Sequence, residues 1–398
     1  MTRLPPGVPI TRAATLPQSP DAVQRAAHGI VQQVVRYAIG RPVSILIADG
    51  PQGEIARAAA RTLAGQGVEI AETDAPVILD GRGGTGTPPP PDAFVIAIDL
   101  PTGRADVTLA IGTIRPDHVA ARCGTVIVVD PLAATDSSWR TIARPHIAPP
   151  AADAHKYSRG LVAVLAGSMP GAARLSAHAA LAGGAGYVVL AGDDAGWGGP
   201  DALVRRSIGD DTALADLLGD DRLAAVLVGP GLGRDAAATR LLDAALACRA
   251  PLVIDGDAIT LSGPSGVARI AARDAPTLLT PHAGEFTRMF PDPSGDKLDR
   301  TLAAARHARA TIVHKGPDTV IATPDGRAIV STLGPSWLST AGTGDVLAGL
   351  LAARLAPGGA DAPEQAVWLH ARAARLAGPA FVADDLIGLL GQAIGECR

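Results

Sequence analysis

The chain is 398 residues long, with 47% hydrophobic residues, 3% aromatics and a formal net charge of −4. That length predicts two domains, each able to bury its own core, and the composition predicts a soluble, globular chain without disorder outside its ends. Lys and Arg are scattered and no apolar run reaches the ~18 residues of a membrane span, so neither nucleic acid nor a membrane is an expected partner.

The start, Met1-Thr2-Arg3-Leu4-Pro5-Pro6-Gly7, lacks the apolar core of a signal peptide, and a cytoplasmic location is expected. Cys123, Cys248 and Cys397 have no paired spacing. They predict buried or incidental thiols rather than a disulfide framework or a zinc site.

A first domain is expected over residues 1–147. Helical spacing of apolar residues over 21–39 predicts an amphipathic helix. A strand over 43–48 follows, then the turn Asp49-Gly50-Pro51-Gln52-Gly53 and a helix from Glu54 to Ala64. Further strands over 77–80, 94–99 and 125–130 end on Asp80, Asp99 and Asp130. In an open parallel sheet the carboxyl ends of strands line the ligand crevice, so such acids read as site residues or as simple turn starters. The loop Gly81-Arg82-Gly83-Gly84-Thr85-Gly86-Thr87, followed by four prolines, reads as a phosphate loop or a surface loop.

A small, proline-bearing linker at 148–154 opens a second domain over 148–398. His155-Lys156-Tyr157-Ser158-Arg159-Gly160 leads into a strand at 161 and a helix over 172–181. Strands over 187–190, 225–228, 252–255, 277–280, 311–314 and 319–322, with helices between most of them, predict an α/β domain with a largely parallel sheet. The strand exits carry the chemistry. Gly229-Pro230-Gly231-Leu232-Gly233 permits close backbone approach to a ligand. Asp255-Gly256-Asp257 offers two acids, for magnesium, for a sugar hydroxyl or as a helix cap. Thr280-Pro281-His282-Ala283-Gly284-Glu285 places a histidine beside a carboxylate. His314-Lys315-Gly316-Pro317-Asp318-Thr319 suits nucleotide phosphates, or is a hairpin turn with an exposed lysine. Near the end, Ser339-Thr340-Ala341-Gly342-Thr343-Gly344-Asp345 reads as an anion cradle opening a helix to Leu355, with Asp345 either reactive or only a cap.

The succession HKYSRG, GAARLSAHAAL, VGPGLG, DGDA, TPHAGEF, HKGPDTVI and AGTGDVLAG resembles the NAD(P)H-hydrate dehydratase domain of the ribokinase-like superfamily over nearly the whole second domain. DGRGGTG from Asp80, VIAIDLPTG and ADVTL are similar to the NAD(P)H-hydrate epimerase domain often fused in front. The resemblance implies an N-terminal Rossmann-like α/β/α sandwich and a C-terminal ribokinase-like α/β domain. It implies ADP- or ATP-dependent dehydration of the S epimer of hydrated NADH or NADPH, with the first domain interconverting the R and S epimers. Asp345 would be catalytic. Lys315, Gly316, Pro317, Asp318, Thr319, Gly342, Thr343 and Gly344 would hold the adenine nucleotide, with Mg2+. Ser176, Gly231 and His282, together with Asp345, would meet the hydrated nicotinamide nucleotide. In the first domain, Asp99 would contact substrate, while Asp80 and Thr102 would hold potassium. A homo-oligomer is expected.

The sequence departs from the family pattern in three places. The paired-asparagine turn after the first strand is replaced by Asp49-Gly50-Pro51-Gln52-Gly53-Glu54, His314 stands where an apolar residue is usual, and Thr260 replaces a common asparagine. The first departure leaves two readings of the first domain, an active epimerase or a binding and scaffolding module. A ribokinase-like kinase of a small vitamin precursor is the alternative for the second, since the same cradle and aspartate would serve it.

Overall fold

A computed structural model describes residues 2–11, 16–17, 19–73, 75–120, 122–129, 137–192, 199–291 and 294–398. The chain divides into two compact units, Met1–Thr141 and Ile142–Arg398.

The first unit opens with α1 (Pro20–Tyr37), whose N-cap Ser19 accepts a hydrogen bond from the Ala22 N–H. Its apolar stripe, Val23, Ala26, Ala27, Ile30, Val31 and Val34, is buried, as the helical spacing predicts. The strands are β1 (Val43–Ile47), β2 (Ile70–Ala71), β3 (Val77–Gly81), β4 (Phe94–Ile98), β5 (Val107–Ile111) and β6 (Thr125–Val129). They form one sheet in the order β2-β1-β3-β4-β5-β6, with every pairing parallel. Helix α2 (Pro51–Gly65) follows β1 after only three residues, with proline in its first turn. Helix α3 (Pro116–Ala120) and strand β7 (Trp139–Thr141) complete the unit. Parallel strands covered by helices bury both faces, and β3 and β5 are buried along their whole length. Asp80 and Asp99 therefore stand at carboxyl ends of the sheet; Asp130 lies outside the described residues.

The second unit alternates strands and helices. It begins with β8 (Leu161–Leu165), α4 (Pro170–Ala182), β9 (Tyr187–Ala191), β10 (Val204–Arg206), α5 (Asp211–Leu218) and β11 (Leu223–Val228). Next come α6 (Ala236–Ala247), β12 (Leu252–Ile254), α7 (Gly256–Ala271), β13 (Thr277–Leu279), α8 (Ala283–Met289) and α9 (Lys297–Ala308). Strands β14 (Thr311–His314), β15 (Thr319–Ala322) and β16 (Ala328–Ser331) precede α10 (Thr343–Leu355), α11 (Ala362–Ala377) and α12 (Ala383–Gly395). The sheet runs β10-β9-β8-β11-β12-β13-β14-β15-β16. It is parallel as far as β14 and antiparallel through the β14-β15-β16 meander. Residues 142–147 belong to this unit: the Ile142 and Ile147 side chains enter its core, and their N–H groups donate to Val330 and Cys397 carbonyls at 2.9 and 2.8 Å. Among the described residues no helix is long and apolar enough to cross a membrane.

Helices α4 and α10 pack against each other unusually closely because both are rich in small residues. A Cβ on Gly349 would stand 2.0 Å from the Ser176 carbonyl oxygen. Gly349→Ala is accordingly expected to lower the stability of the second unit by at least about 1–3 kcal/mol, the usual cost of overpacking. Urea denaturation followed by circular dichroism checks this, and an unchanged midpoint contradicts it.

Candidate active site

Three adjacent strands deliver one ion pair. Asp255 directly follows β12, Thr280 follows β13 and Lys315 follows β14. The Lys315 Nζ donates to Asp255 Oδ1 at 2.7 Å, and the Thr280 hydroxyl donates to the same oxygen. The Lys315 N–H donates to the Pro281 carbonyl at 2.8 Å, which fixes the start of the β14-β15 turn. Burial would discharge the lysine, but the Asp255 carboxylate outweighs it and leaves the ammonium pKa raised.

Facing this pair is the first turn of α10. Its N-cap, Gly342, has φ 88°, a left-handed conformation that disfavours other residues, and a Cβ there would meet Ala383 and Leu175 at 2.9 Å. The Thr343 hydroxyl is held by the Leu338 and Thr340 carbonyls at 2.8 and 3.0 Å. His370, buried on α11, hydrogen-bonds the Thr343 backbone; burial brings its pKa down to about 4, so it supports the turn as a neutral ring. Lys315 lies against the turn, since a Cβ on Gly344 would stand 3.4 Å from its Nζ. The N–H groups of a helix's first turn lack intrahelical partners and favour an anion. A phosphate placed there would meet both those amides and the ammonium.

Asp345 is the third residue of α10 and is partly buried. Its carboxylate makes no hydrogen bond among the described residues, so it is not acting as a helix cap. Its pKa is raised to about 6, first by burial, then by the negative charge of Asp255, with Lys315 pulling the other way. Such a carboxylate is poised to accept a proton near neutral pH.

The other expected residues surround this centre in different ways. Ser176 is buried on α4, and its hydroxyl donates to the Asp345 backbone carbonyl at 2.8 Å, holding the helix rather than the carboxylate. Gly231 and His282 lie beyond β11 and β13, the strands flanking β12. His282 caps α8: its Nδ1 accepts from the Gly284 and Glu285 N–H groups at 3.0 and 3.3 Å, which leaves the proton on the half-exposed Nε2. Gly316, Pro317, Asp318 and Thr319 form the β14-β15 hairpin. Lys297 braces that hairpin, donating to the Asp318 carboxylate at 3.0 Å and its carbonyl at 2.7 Å, while the Thr319 hydroxyl donates to the Gly316 carbonyl. The backbone is thus a hairpin, but Lys315 is paired inward rather than exposed. Asp257 ties the 229–233 loop to α7, accepting from the Gly233 N–H and Arg234 Nε. Sequence reasoning saw the strand-end acid Asp255 without its lysine partner, and did not single out Lys297.

In the first unit, the geometry argues against an alkali ion at Asp80 and Thr102. Asp80 is fully buried, and the Arg82 guanidinium engages both its oxygens, Nε to Oδ1 at 2.9 Å and Nη2 to Oδ2 at 3.1 Å. The Arg82 and Thr102 N–H groups donate to it as well. The Thr102 hydroxyl is committed to the Thr85 carbonyl at 2.9 Å. A bidentate guanidinium already balances the carboxylate, so these donors do not fit potassium. Asp99, with a left-handed φ of 69°, accepts from Arg115 at 2.6 Å and from Gln52 at 3.3 Å, and its carbonyl meets His118 Nε2 at 2.8 Å. Burial would raise its pKa, but the hydrogen bonds of His118 and Arg115 bring it below the usual value. Arg82, Arg115, His118 and Gln52 were not legible as partners because each pairing depends on the folded loop.

The second unit's largely parallel sheet, with its strand-end ion pair facing the first turn of α10, has the ribokinase-like fold. The chain belongs to the NAD(P)H-hydrate dehydratase family, whose sequence profile matches residues 162–394. It is 38% identical over 312 residues to a bifunctional NAD(P)H-hydrate repair enzyme of Mycobacterium leprae, covering 71% of this chain and 63% of that relative. That is more of the chain than the second unit alone contains. A Gloeobacter violaceus enzyme of the same description is 42% identical over 238 residues, covering 56% of this chain and 46% of the relative. The matches thus span less than two thirds of these relatives. Among solved structures, a ribokinase-like protein from Enterococcus faecalis aligns with TM-score 0.59 and 26% identity, over 67% of this chain and 99% of that one. The ADP/ATP-dependent NAD(P)H-hydrate dehydratase from Bacillus subtilis, co-crystallised with ATP and Mg2+, aligns with TM-score 0.54 and 26% identity, over 64% and 95%.

A raised carboxylate pKa carries a stability cost whose sign is fixed. Below the unfolded value near 3.8 the group is neutral in both states. As pH rises, the unfolded chain ionises first and stability falls, until the folded pKa of about 6 is passed. Asp345→Asn should therefore stabilise the second unit at pH 7.5 by on the order of 1–3 kcal/mol, with the gain vanishing below about pH 4. Denaturation curves at the two pH values check this; a pH-independent difference contradicts it.

Proposed function

We propose that the second unit restores NADH or NADPH from its hydrated form, using ADP or ATP as phosphoryl donor. The observation that carries this reading is the unpartnered Asp345 carboxylate, with pKa about 6, beside the charged Lys315 and the open first turn of α10. In this reading Asp345 takes the proton from the hydroxyl on carbon 6 of the nicotinamide ring. The oxygen attacks the terminal phosphorus of the nucleotide, whose bridging P–O bond breaks. The ring-nitrogen lone pair then expels phosphate from carbon 6, and loss of a proton from carbon 5 closes the double bond of the dihydropyridine. Lys315 and the α10 amides offset charge on the transferring group, so catalysis is mostly positioning and electrostatics. Ser176 positions Asp345 through its carbonyl. The glycine loop at Gly231 and the Nε2 of His282 supply walls for the nicotinamide nucleotide, and the Gly316–Thr319 hairpin lies along the adenine nucleotide.

Magnesium keeps several waters and binds through nucleotide phosphates and one or two carboxylates, where it would neutralise phosphate charge. For the first unit, epimerisation of the same hydrates is the reading that the relatives' bifunctional description supports. The engagement of Asp80 by Arg82 favours a second reading, a supporting module without potassium. The proposal includes a cytoplasmic location and homo-oligomeric assembly.

The test is recovery of NADH absorbance from mixed epimers of hydrated NADH with ADP or ATP. Complete conversion faster than spontaneous epimerisation is expected if both units act, and half conversion followed by a slow phase if only the second does; none rejects the reading. Asp345→Asn should lower the rate by about 10²–10⁴-fold, the usual contribution of a positioned acid or base.

A further inference from the structure

A second cavity of about 700 Å³ lies at the opposite end of the second unit. It is lined by Arg159 at the entry to β8 and by the far ends of α4 and α10, whereas the crevice stands at the strand exits. Arg354 enters it from α10, about 14 Å along the helix axis from Asp345. Arg398 joins these two arginines, and Ile147, Leu181 and Ile394 give the cavity an apolar wall.

Three guanidinium groups face one lining side-chain carboxylate, that of Asp153. Among the described residues no Asp or Glu side chain forms an ion pair with Arg159, Arg354 or Arg398. The partners these arginines do have are neutral: Arg354 donates to the Gln365 side chain at 2.8 Å and to the Gly183 carbonyl at 3.5 Å, and Arg159 to the Gly184 carbonyl at 3.0 Å. Arg354 is partly buried, and burial lowers its pKa, yet an arginine stays charged in a protein. A desolvated cation with only neutral acceptors lacks the counter-charge that would offset its burial. His155 adds a donor, because its Nδ1 accepts from the Tyr157 and Ser158 N–H groups and Nε2 keeps the proton. Capping the carbonyls at the end of α4 accounts for one or two N–H groups of each arginine, not for a cavity between them.

We propose that this cavity is a second ligand site, apart from the crevice, for a small organic phosphate with an apolar body. The arginines take the phosphate, for which a planar guanidinium is well matched, and the aliphatic wall takes the body. The volume lies within the range of small-molecule sites. This also gives a role to the HKYSRG stretch, which the chemistry at Asp345 leaves unused.

The test is calorimetric titration of 1-naphthyl phosphate into the full chain with the crevice filled by magnesium and a non-hydrolysable ATP analogue. Saturable binding at one site per chain is expected, weakened at least about tenfold for 1-naphthol, which lacks the phosphate, and by rising salt. Arg354→Met and Arg159→Met should each weaken it by at least about tenfold while leaving NADH recovery intact, and Asp345→Asn should not change it. Because Arg354 braces the end of α4, circular dichroism accompanies each variant, and the more exposed Arg159→Met decides if Arg354→Met does not fold. No saturable binding below about 10 mM, equal affinity for 1-naphthol, or binding that survives loss of the arginines overturns the proposal.

Discussion

The chemistry proposed for the second unit depends on the Lys315–Asp255 ion pair. A buried pair is poor evidence for stability, because desolvation of two charges consumes most of their attraction. Here it is held by a further hydrogen bond from Thr280 and by the Lys315 N–H on Pro281, so three strands must be in register for it to form. Its value is electrostatic. Burial raises the pKa of the Asp345 carboxylate most, the charge of Asp255 raises it further and Lys315 lowers it, and the balance leaves it at about 6 beside a charged lysine. Neither group alone would produce that combination.

Positioning follows from packing. Gly349 brings α10 onto the backbone of α4, and at that contact Ser176 donates to the Asp345 carbonyl. The alanine-rich composition that looks featureless in sequence is what lets the two helices approach so closely. The carboxylate is thereby aimed by the helix that carries it, while its own oxygens remain available to a substrate. Leaving a partly buried acid unpartnered costs stability, the usual exchange at a functional site.

The motifs in which local chemistry and position coincide were legible. The 339–349 stretch is a glycine-capped helix start, and the strand-end glycines and acids fall where a parallel sheet places its crevice. Pairings between distant loops were not. Nothing local ties Asp255 to Lys315, or Asp99 to Arg115 and His118. Arg82 looks like one polar residue in a glycine loop until the loop folds it back onto Asp80. Strands β5 and β16 were not among the strands expected from the sequence. The second unit also starts before the proline-bearing linker, because Ile142 and Ile147 are core residues there.

The central claim is that Asp345 is the proton acceptor and that its surroundings tune it. The most direct measurement is kcat/KM for nucleotide-dependent NADH recovery as a function of pH, which reports groups of the free enzyme. The account predicts an acid limb with a midpoint near pH 6, reflecting loss of one proton from Asp345. A profile that stays flat from about pH 5 to 8, or a limb that persists unchanged in Asp345→Asn, would contradict it.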